Sequence, residues 1–214
     1  QVGVLRAIAE LLPKDAGNPF HIISGTSAGA LNAASLACHA HRLRTGVRLL
    51  EYVWKNISSD QIYTPQSNKL LGSASIMLLS SMRTKDTNVL RSLLDNSPLL
   101  DLLQRVLKLD KIQKNIDKGL LDALSITTSA YSTGESVSFY QGMKGLSDWA
   151  GPHRIGRRAQ IGYLHLMASS ALPVLFPAVK IDEQFYGDGA VRQLAPTSTP
   201  IQLGASRLLV IGVS

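Results

Sequence analysis

The sequence predicts a single α/β domain, in which helices and strands pack as a sandwich around one hydrophobic core. The chain has 214 residues, a length that one α/β domain commonly occupies. Hydrophobic residues make up 45% of it, so a core can form without disulfides or metal ions. Short apolar runs typical of strands alternate with segments in which apolar residues recur at helical spacing, the pattern of an α/β fold.

The first elements are predicted to be helix, strand and helix. In residues 1–12, apolar residues recur at i, i+3, i+4 and i+7, and Pro13 ends the helix. Residues 20–23 form a short apolar run, which predicts a buried strand. Alanines at helical spacing over residues 30–37 predict a smooth helix that packs closely on a sheet. Because the chain opens inside a helical pattern, we expect further sequence upstream.

The middle of the chain contains two predicted helices and a less regular stretch between them. One helix covers residues 43–54, and another begins near Ser97, with Pro98 in its first turn. Between them, residues 57–96 contain an apolar patch with basic residues nearby. This stretch could be a lid or cap that faces a membrane, or an ordinary core helix with solvated flanks.

The remaining elements are mainly strands. Residues 124–128 and 137–140 have strand character and are joined by a turn. Residues 141–160 resemble a loop, and a hairpin is expected over residues 178–186. The continuous apolar run at 207–213 suits a parallel strand that is buried on both faces.

The composition limits the classes of binding partner and the cellular compartment that we expect for this protein. Lys and Arg exceed Asp and Glu by 22 to 15, giving a net charge of +7, which favours an anionic lipid surface, an acidic substrate or nucleic acid. Nucleic acid is disfavoured because no basic block and no nucleic-acid-binding motif is present. A single cysteine, no signal-peptide pattern and no run long enough to span a membrane predict a cytoplasmic protein with transient membrane-surface contact. No cofactor and no metal site is expected.

The strongest local motif is Gly25-Thr26-Ser27-Ala28-Gly29, a G-x-S-x-G sequence between a predicted strand and a predicted helix. In that setting the serine hydroxyl projects from a tight turn above the sheet. The helix that follows directs backbone N–H groups and the positive end of its dipole towards the substrate oxygen that becomes negative during acyl transfer. Ser27 is therefore the predicted nucleophile. A phosphate-binding loop is the rival, but it would need a Lys after the second glycine.

The residues around Ser27 do not decide which side chain is the base that activates it. A histidine is the usual partner, and the histidines after Ser27 give one conceivable triad, Ser27 with Asp148 and His165. Asp188 lies between two glycines directly after an apolar run, where a strand end could hold its carboxylate towards another loop. Cys38, a rival nucleophile, lies in an Ala-rich helix where a buried structural thiol is commoner.

Several segments together resemble the patatin-like phospholipase family. They are the Ser27 motif, Ala168-Ser169-Ser170-Ala171-Leu172-Pro173, Asp188-Gly189-Ala190 and Leu203-Gly204-Ala205-Ser206, and they span nearly the whole chain in order. The resemblance implies a three-layer α/β/α sandwich with a mainly parallel central sheet. It also implies a Ser27–Asp188 dyad that releases fatty acids from phospholipids or other acyl lipids through an acyl-enzyme. Gly25, Ala28, Gly29, Gly187 and Gly189 are then motif residues that could support the oxyanion.

One departure from the family motivates a second hypothesis. The glycine-rich G-G-G-x-[RK]-G loop that supplies oxyanion donors in the family does not occur in the 214 residues, which begin inside the first helix. We expect this loop to lie upstream. Without it, the chain would instead be a lipid-binding or regulatory module that keeps the fold without turnover.

Overall fold

A computed structural model describes residues 1–65, 92–193 and 197–212. Most of the predicted lid or cap, including its apolar patch, falls on residues 66–91 and lies outside the described residues. The helices are α1 Val2–Leu11, α2 Ala28–Cys38, α3 Leu43–Asn56, α4 Ser97–Val106, α5 Asp110–Asp117, α6 Tyr163–Ser169 and α7 Ser198–Gln202. The strands are β1 Ile22–Thr26, β2 Thr64–Pro65, β3 Leu94–Asp95, β4 Ala123–Ala130, β5 Ser136–Gly142, β6 Trp149–Gly151, β7 Arg154–Arg158, β8 Val179–Ile181 and β9 Gln184–Asp188.

Within the described part of the chain, the central sheet has seven strands and is built around β4. Strand β5 pairs with one edge of β4, and β7 and then β6 follow β5 in the sheet. On the other side, β1 pairs with the first part of β4 and β9 with its last part, and β8 follows β9. A separate antiparallel pair is formed by β2 and β3. The α/β fold class is confirmed.

The sheet is mixed, which corrects the expectation of a mainly parallel one. Among the described residues, β1 with β4 and β5 with β7 are parallel, whereas β4 with β5, β4 with β9, β6 with β7 and β8 with β9 are antiparallel. The physical reason is the length of the connections. Only short turns join β4 to β5, β6 to β7 and β8 to β9, and a short turn permits only antiparallel neighbours, because a parallel pair needs a long crossover.

Helices cover both faces of the sheet. Successive residues of a strand point to opposite faces. Leu124 of β4 accordingly belongs to the large core beneath α1 to α6, while Ala123 belongs to a smaller cluster with Tyr140 and Leu203, at the end of α7. The predicted smooth helix is confirmed as α2, whose alanines at 30, 33, 34 and 37 are at most 3% exposed. Because alanine side chains are short, α2 lies close to β1 and β4.

Two segments differ from the sequence-based expectation. Residues 141–160, expected as a loop, contain β6 and β7. Arg-rich β7 is largely exposed, so it lacks the apolar alternation that identifies a half-buried strand. Residues 207–212, expected as a buried strand, form no strand, and Leu208, Leu209 and Val210 are 42–60% exposed. No described strand pairs with this segment, so its apolar character was not sufficient to place it in the sheet.

Candidate active site

Strand β4 brings the ends of two other strands together. Strand β1 runs parallel to β4 and ends with Thr26 opposite Thr127. Strand β9 runs the other way on the same side and ends with Asp188 opposite Thr128. Because Thr127 and Thr128 are consecutive, the carboxyl ends of β1 and β9 meet head to head. Ser27, the residue after β1, therefore lies beside Asp188 although 161 residues separate them in sequence.

The turn between β1 and α2 is sharp and strained. Ser27 has φ of 53° and ψ of −131°, a conformation that residues other than glycine rarely adopt. It directly precedes α2, and its carbonyl accepts a hydrogen bond from the N–H of Ala30 at 2.9 Å. A methyl group on Gly25 would lie 2.8 Å from Cα of Ala30. A glycine at position 25 is therefore needed for the first turn of α2 to fold back over the end of β1.

Ser27 and Asp188 form a short hydrogen bond. Oγ of Ser27 donates to Oδ2 of Asp188 at 2.6 Å, within the range for a hydroxyl that donates to a carboxylate. The other carboxylate oxygen, Oδ1, accepts from the N–H of Ala190 at 2.8 Å. The backbone of Asp188 is also held, because its N–H donates to the carbonyl of Ala171 at 2.9 Å. The carboxylate is thus fixed at both oxygens.

The carboxyl group of Asp188 lies in the protein interior. Asp188 is fully buried, with 0% exposure, whereas Ser27 is only partly buried and Ala28 is exposed. Among the described residues, Asp188 forms no ion pair. Burial, and next the negative charge of Asp188, raise the pKa of Tyr131. The side chain of Asp188 is therefore a buried acceptor, and the residue that donates to it is only partly buried.

The glycines around Asp188 allow close approach of neighbouring groups. A methyl group on Gly189 would clash with the backbone of Thr127 and the hydroxyl of Thr26. A methyl group on Gly187 would collide with the ring of Tyr131, 2.8 Å from its Cζ. Gly29 is different, because among the described residues only the side chain of Gln1 lies near it, at 3.6 Å. Gly187 and Gly189 thus place Asp188, whereas position 29 has room for a side chain.

The structure does not bring a histidine together with Ser27 in the part of the chain it describes. Nδ1 of His165 accepts from the N–H of Gly162 at 3.0 Å, and its ring packs edge-on against Phe139 at 4.7 Å. Burial lowers the pKa of His165. Asp148, its proposed partner in a triad, accepts from the hydroxyl of Tyr140 at 2.9 Å. Both residues therefore have structural partners of their own.

The other histidines after Ser27 are remote from it. His39 and His41 follow the last residue of α2, about 16 Å along the helix from its first residue at a rise of 1.5 Å per residue. His153 lies in the turn between β6 and β7, at the edge of the sheet beyond β5. None of the three adjoins the junction of β1 and β9.

Cys38 has the properties of a structural thiol. It is fully buried at the end of α2, and its Sγ lies 3.4 Å from the carbonyl of Lys108. Burial raises the pKa of the Cys38 thiol to about 12. Since the thiolate is the reactive form, the buried Cys38 thiol is a poor candidate nucleophile.

Two buried hydroxyl groups next to the site were not assigned a role from the sequence. Oγ of Ser129, on β4, donates to the carbonyl of Asp188 at 2.9 Å. Oγ of Ser169, the last residue of α6, accepts from the N–H of Ser27 at 3.0 Å. For Ser129 one signal was available: the sequence of β4 contains four hydroxyl side chains, and hydroxyls that a sheet buries need hydrogen-bond partners.

Neither a metal site nor a membrane-spanning helix is found in the described residues. Residues 1–65, 92–193 and 197–212 contain no cluster of three or more His, Cys, Asp or Glu side chains able to hold a metal ion. Within the same ranges, no helix combines the length and the apolar character needed to cross a bilayer.

Comparison with known protein families gave a match for the chain. A family model described as patatin-like phospholipase matches residues 1–201 of the chain. No curated protein gave a significant match. The matched range includes β1, the turn at Ser27, the whole central sheet and the loop at Asp188.

Proposed function

Because the chain belongs to the patatin-like phospholipase family, whose members generally hydrolyse lipids, we propose that it is a serine acyl hydrolase acting through Ser27 and Asp188. The observation that carries this proposal is the 2.6 Å hydrogen bond from Oγ of Ser27 to the buried carboxylate of Asp188. A serine hydroxyl needs an adjacent base to become a nucleophile. Among the described residues, Asp188 is the ionisable side chain bonded to it.

The reaction proceeds in two steps. Asp188 accepts the Ser27 proton while Oγ attacks the acyl carbonyl carbon of the lipid ester. The ester C–O bond then breaks, and the leaving alcohol takes the proton from Asp188. In the second step, a water molecule gives a proton to Asp188 and attacks the acyl-enzyme. The fatty acid leaves, and the proton returns to Ser27.

The start of α2 supports the negative charge that develops on the carbonyl oxygen. The N–H groups of a helix's first turn have no acceptor within the helix, and Ala28 and Gly29 occupy that turn. The positive end of the helix dipole adds to their effect. We infer that these N–H groups contribute to the oxyanion hole, because Ala28 and Gly29 directly follow Ser27 and Ala28 is exposed.

The substrate proposed is a phospholipid or another acyl lipid. The family relation supports the lipid, and the net charge of +7 favours transient contact with an anionic lipid surface.

Labelling with a fluorophosphonate tests the proposal directly. We expect the purified protein to be modified at Ser27, with release of fluoride, and the Ser27→Ala variant to remain unlabelled. His165→Gln is the matched control, because Gln keeps an acceptor for the N–H of Gly162 while removing the imidazole. It should be labelled like the wild type. Labelling that depends on His165 would refute the dyad, and a wild type that is not labelled would favour a binding module without turnover.

A further inference from the structure

The hydroxyl of Ser169 connects the backbone of the candidate nucleophile to the central sheet. Oγ of Ser169 accepts from the N–H of Ser27 at 3.0 Å and donates to the carbonyl of Thr127 at 2.7 Å. Ser169 is fully buried, with 0% exposure, so water does not compete for either bond. One hydroxyl group therefore uses its donor and an acceptor lone pair to join two backbone groups from different elements.

This connection acts at the strained position. With φ of 53° and ψ of −131°, Ser27 is in a conformation that persists only where its surroundings enforce it. The hydrogen bond from the N–H of Ser27 to Ser169 opposes relaxation of this turn. Thr127, the other partner of Ser169, precedes Thr128, which is paired with Asp188. Ser169 therefore fixes Ser27 to the same part of β4 that places the carboxylate.

We propose that Ser169 is a positioning residue for the acyl transfer, one that holds the Ser27 backbone so that Oγ stays in reach of Asp188. This inference rests on the proposed function. The hydroxyl of Ser169 is fully buried and takes no part in the hydrogen bond between Ser27 and Asp188. It acts through the main chain of the nucleophile.

We expect loss of the Ser169 hydroxyl to slow the reaction without reducing the fraction of chains that can react. In Ser169→Ala, the N–H of Ser27 loses its acceptor and the turn can relax. Displacing a reacting group by about 1 Å can cost about 10²-fold in rate. We expect kcat for ester hydrolysis to fall by roughly that factor while KM is unchanged, because the Ser169 hydroxyl is fully buried and bonded to two backbone groups. The rate constant for fluorophosphonate labelling should fall in parallel, while labelling still reaches one probe per chain.

The neighbouring residue supplies a matched control. Ser170 carries the same side chain one position later, and its Oγ is buried without a hydrogen-bond partner among the described residues. Ser170→Ala removes the same atom from the same segment, so its labelling rate should equal that of the wild type. Ser169→Cys should fall between Ser169→Ala and the wild type, because a thiol is a weak donor and acceptor in the same place.

The end point of labelling separates positioning from a general role in folding. If Ser169 only stabilised the fold, Ser169→Ala would contain fewer sites able to react, and the remaining sites would react at the wild-type rate. That outcome would overturn the inference. Should Ser169→Ala fail to fold, Ser169→Cys compared with Ser170→Cys decides the question, since a slower rate confined to position 169 supports the inference and equal rates overturn it.

Failure of this inference can be told apart from failure of the proposed function. A wild-type protein labelled at Ser27, together with a Ser169→Ala variant labelled equally fast, would overturn the positioning role alone. A wild-type protein that is not labelled would overturn the proposed function, and the positioning role with it.

Discussion

Replacing Asp188 by Asn reverses a hydrogen bond while keeping the shape of the side chain. In the structure, Oδ1 accepts from the N–H of Ala190 and Oδ2 accepts from the hydroxyl of Ser27. An Asn side chain can keep the first bond through its carbonyl oxygen. Its NH2 group would then occupy the place of Oδ2 and donate to Oγ of Ser27. The hydroxyl becomes an acceptor, and no group remains to take its proton.

The structure suggests opposite effects on activity and on stability. General base catalysis contributes about 10²–10⁴-fold to a rate, so we expect kcat of Asp188→Asn to fall by about 10³-fold. Asp188 is fully buried and forms no ion pair among the described residues, so its charge is costly to bury. Removing it should raise the free energy of unfolding by about 0.5–2 kcal/mol, which corresponds to a Tm increase of about 2–4 °C per kcal/mol.

Two measurements on the same preparations check this reasoning. Initial rates on a chromogenic fatty-acyl ester give the loss of activity, and thermal unfolding at the same pH gives the change in Tm. Activity above about a tenth of the wild-type level would refute the role of Asp188 as the base. A Tm well below that of the wild type would refute the argument that the buried charge destabilises the fold.

Two further predictions concern the turn at Ser27 and the buried imidazole. Gly25→Ala should abolish labelling of Ser27 and lower Tm, because its methyl group would lie 2.8 Å from Cα of Ala30. Gly29→Ala should fold normally, because the nearest neighbour of its methyl group is a side chain at 3.6 Å. Equal Tm values for the two variants would contradict the packing argument. Burial lowers the pKa of His165, so the imidazole of the unfolded chain binds a proton more readily than that of the folded chain. The free energy of unfolding is therefore unaffected by this group above about pH 6.5, and it decreases as the pH falls below that value. His165→Gln should therefore show a smaller fall in Tm between about pH 7.5 and 5.5, and an unchanged pH dependence would count against this effect.

Local patterns identified most elements and the candidate nucleophile. The alanines of α2, the apolar spacing in α1 and α3 and the strand character around β4 and β5 were sufficient to predict those elements, because each depends on residues near in sequence. The exposed, Arg-rich β7 was missed because its side chains show no apolar alternation. Its pairing with β5 and β6 depends on backbone hydrogen bonds, which leave no pattern in the sequence. The exposed run at 207–212 was expected as a strand because hydrophobicity alone cannot say whether a pairing partner is available.

By itself, the sequence determined that Ser27 lies on a turn between a strand and a helix, with glycines where the backbone must pass closely. It could not determine from the residues which acid or histidine lies next to Ser27; resemblance to a family, not local chemistry, indicated Asp188. That contact depends on β1 and β9 running towards each other along one side of β4. The same pairing, together with the end of α6, brings the hydroxyl of Ser169 to the backbone of Ser27. Contacts between residues this far apart in sequence arise from strand register, which only the tertiary structure fixes.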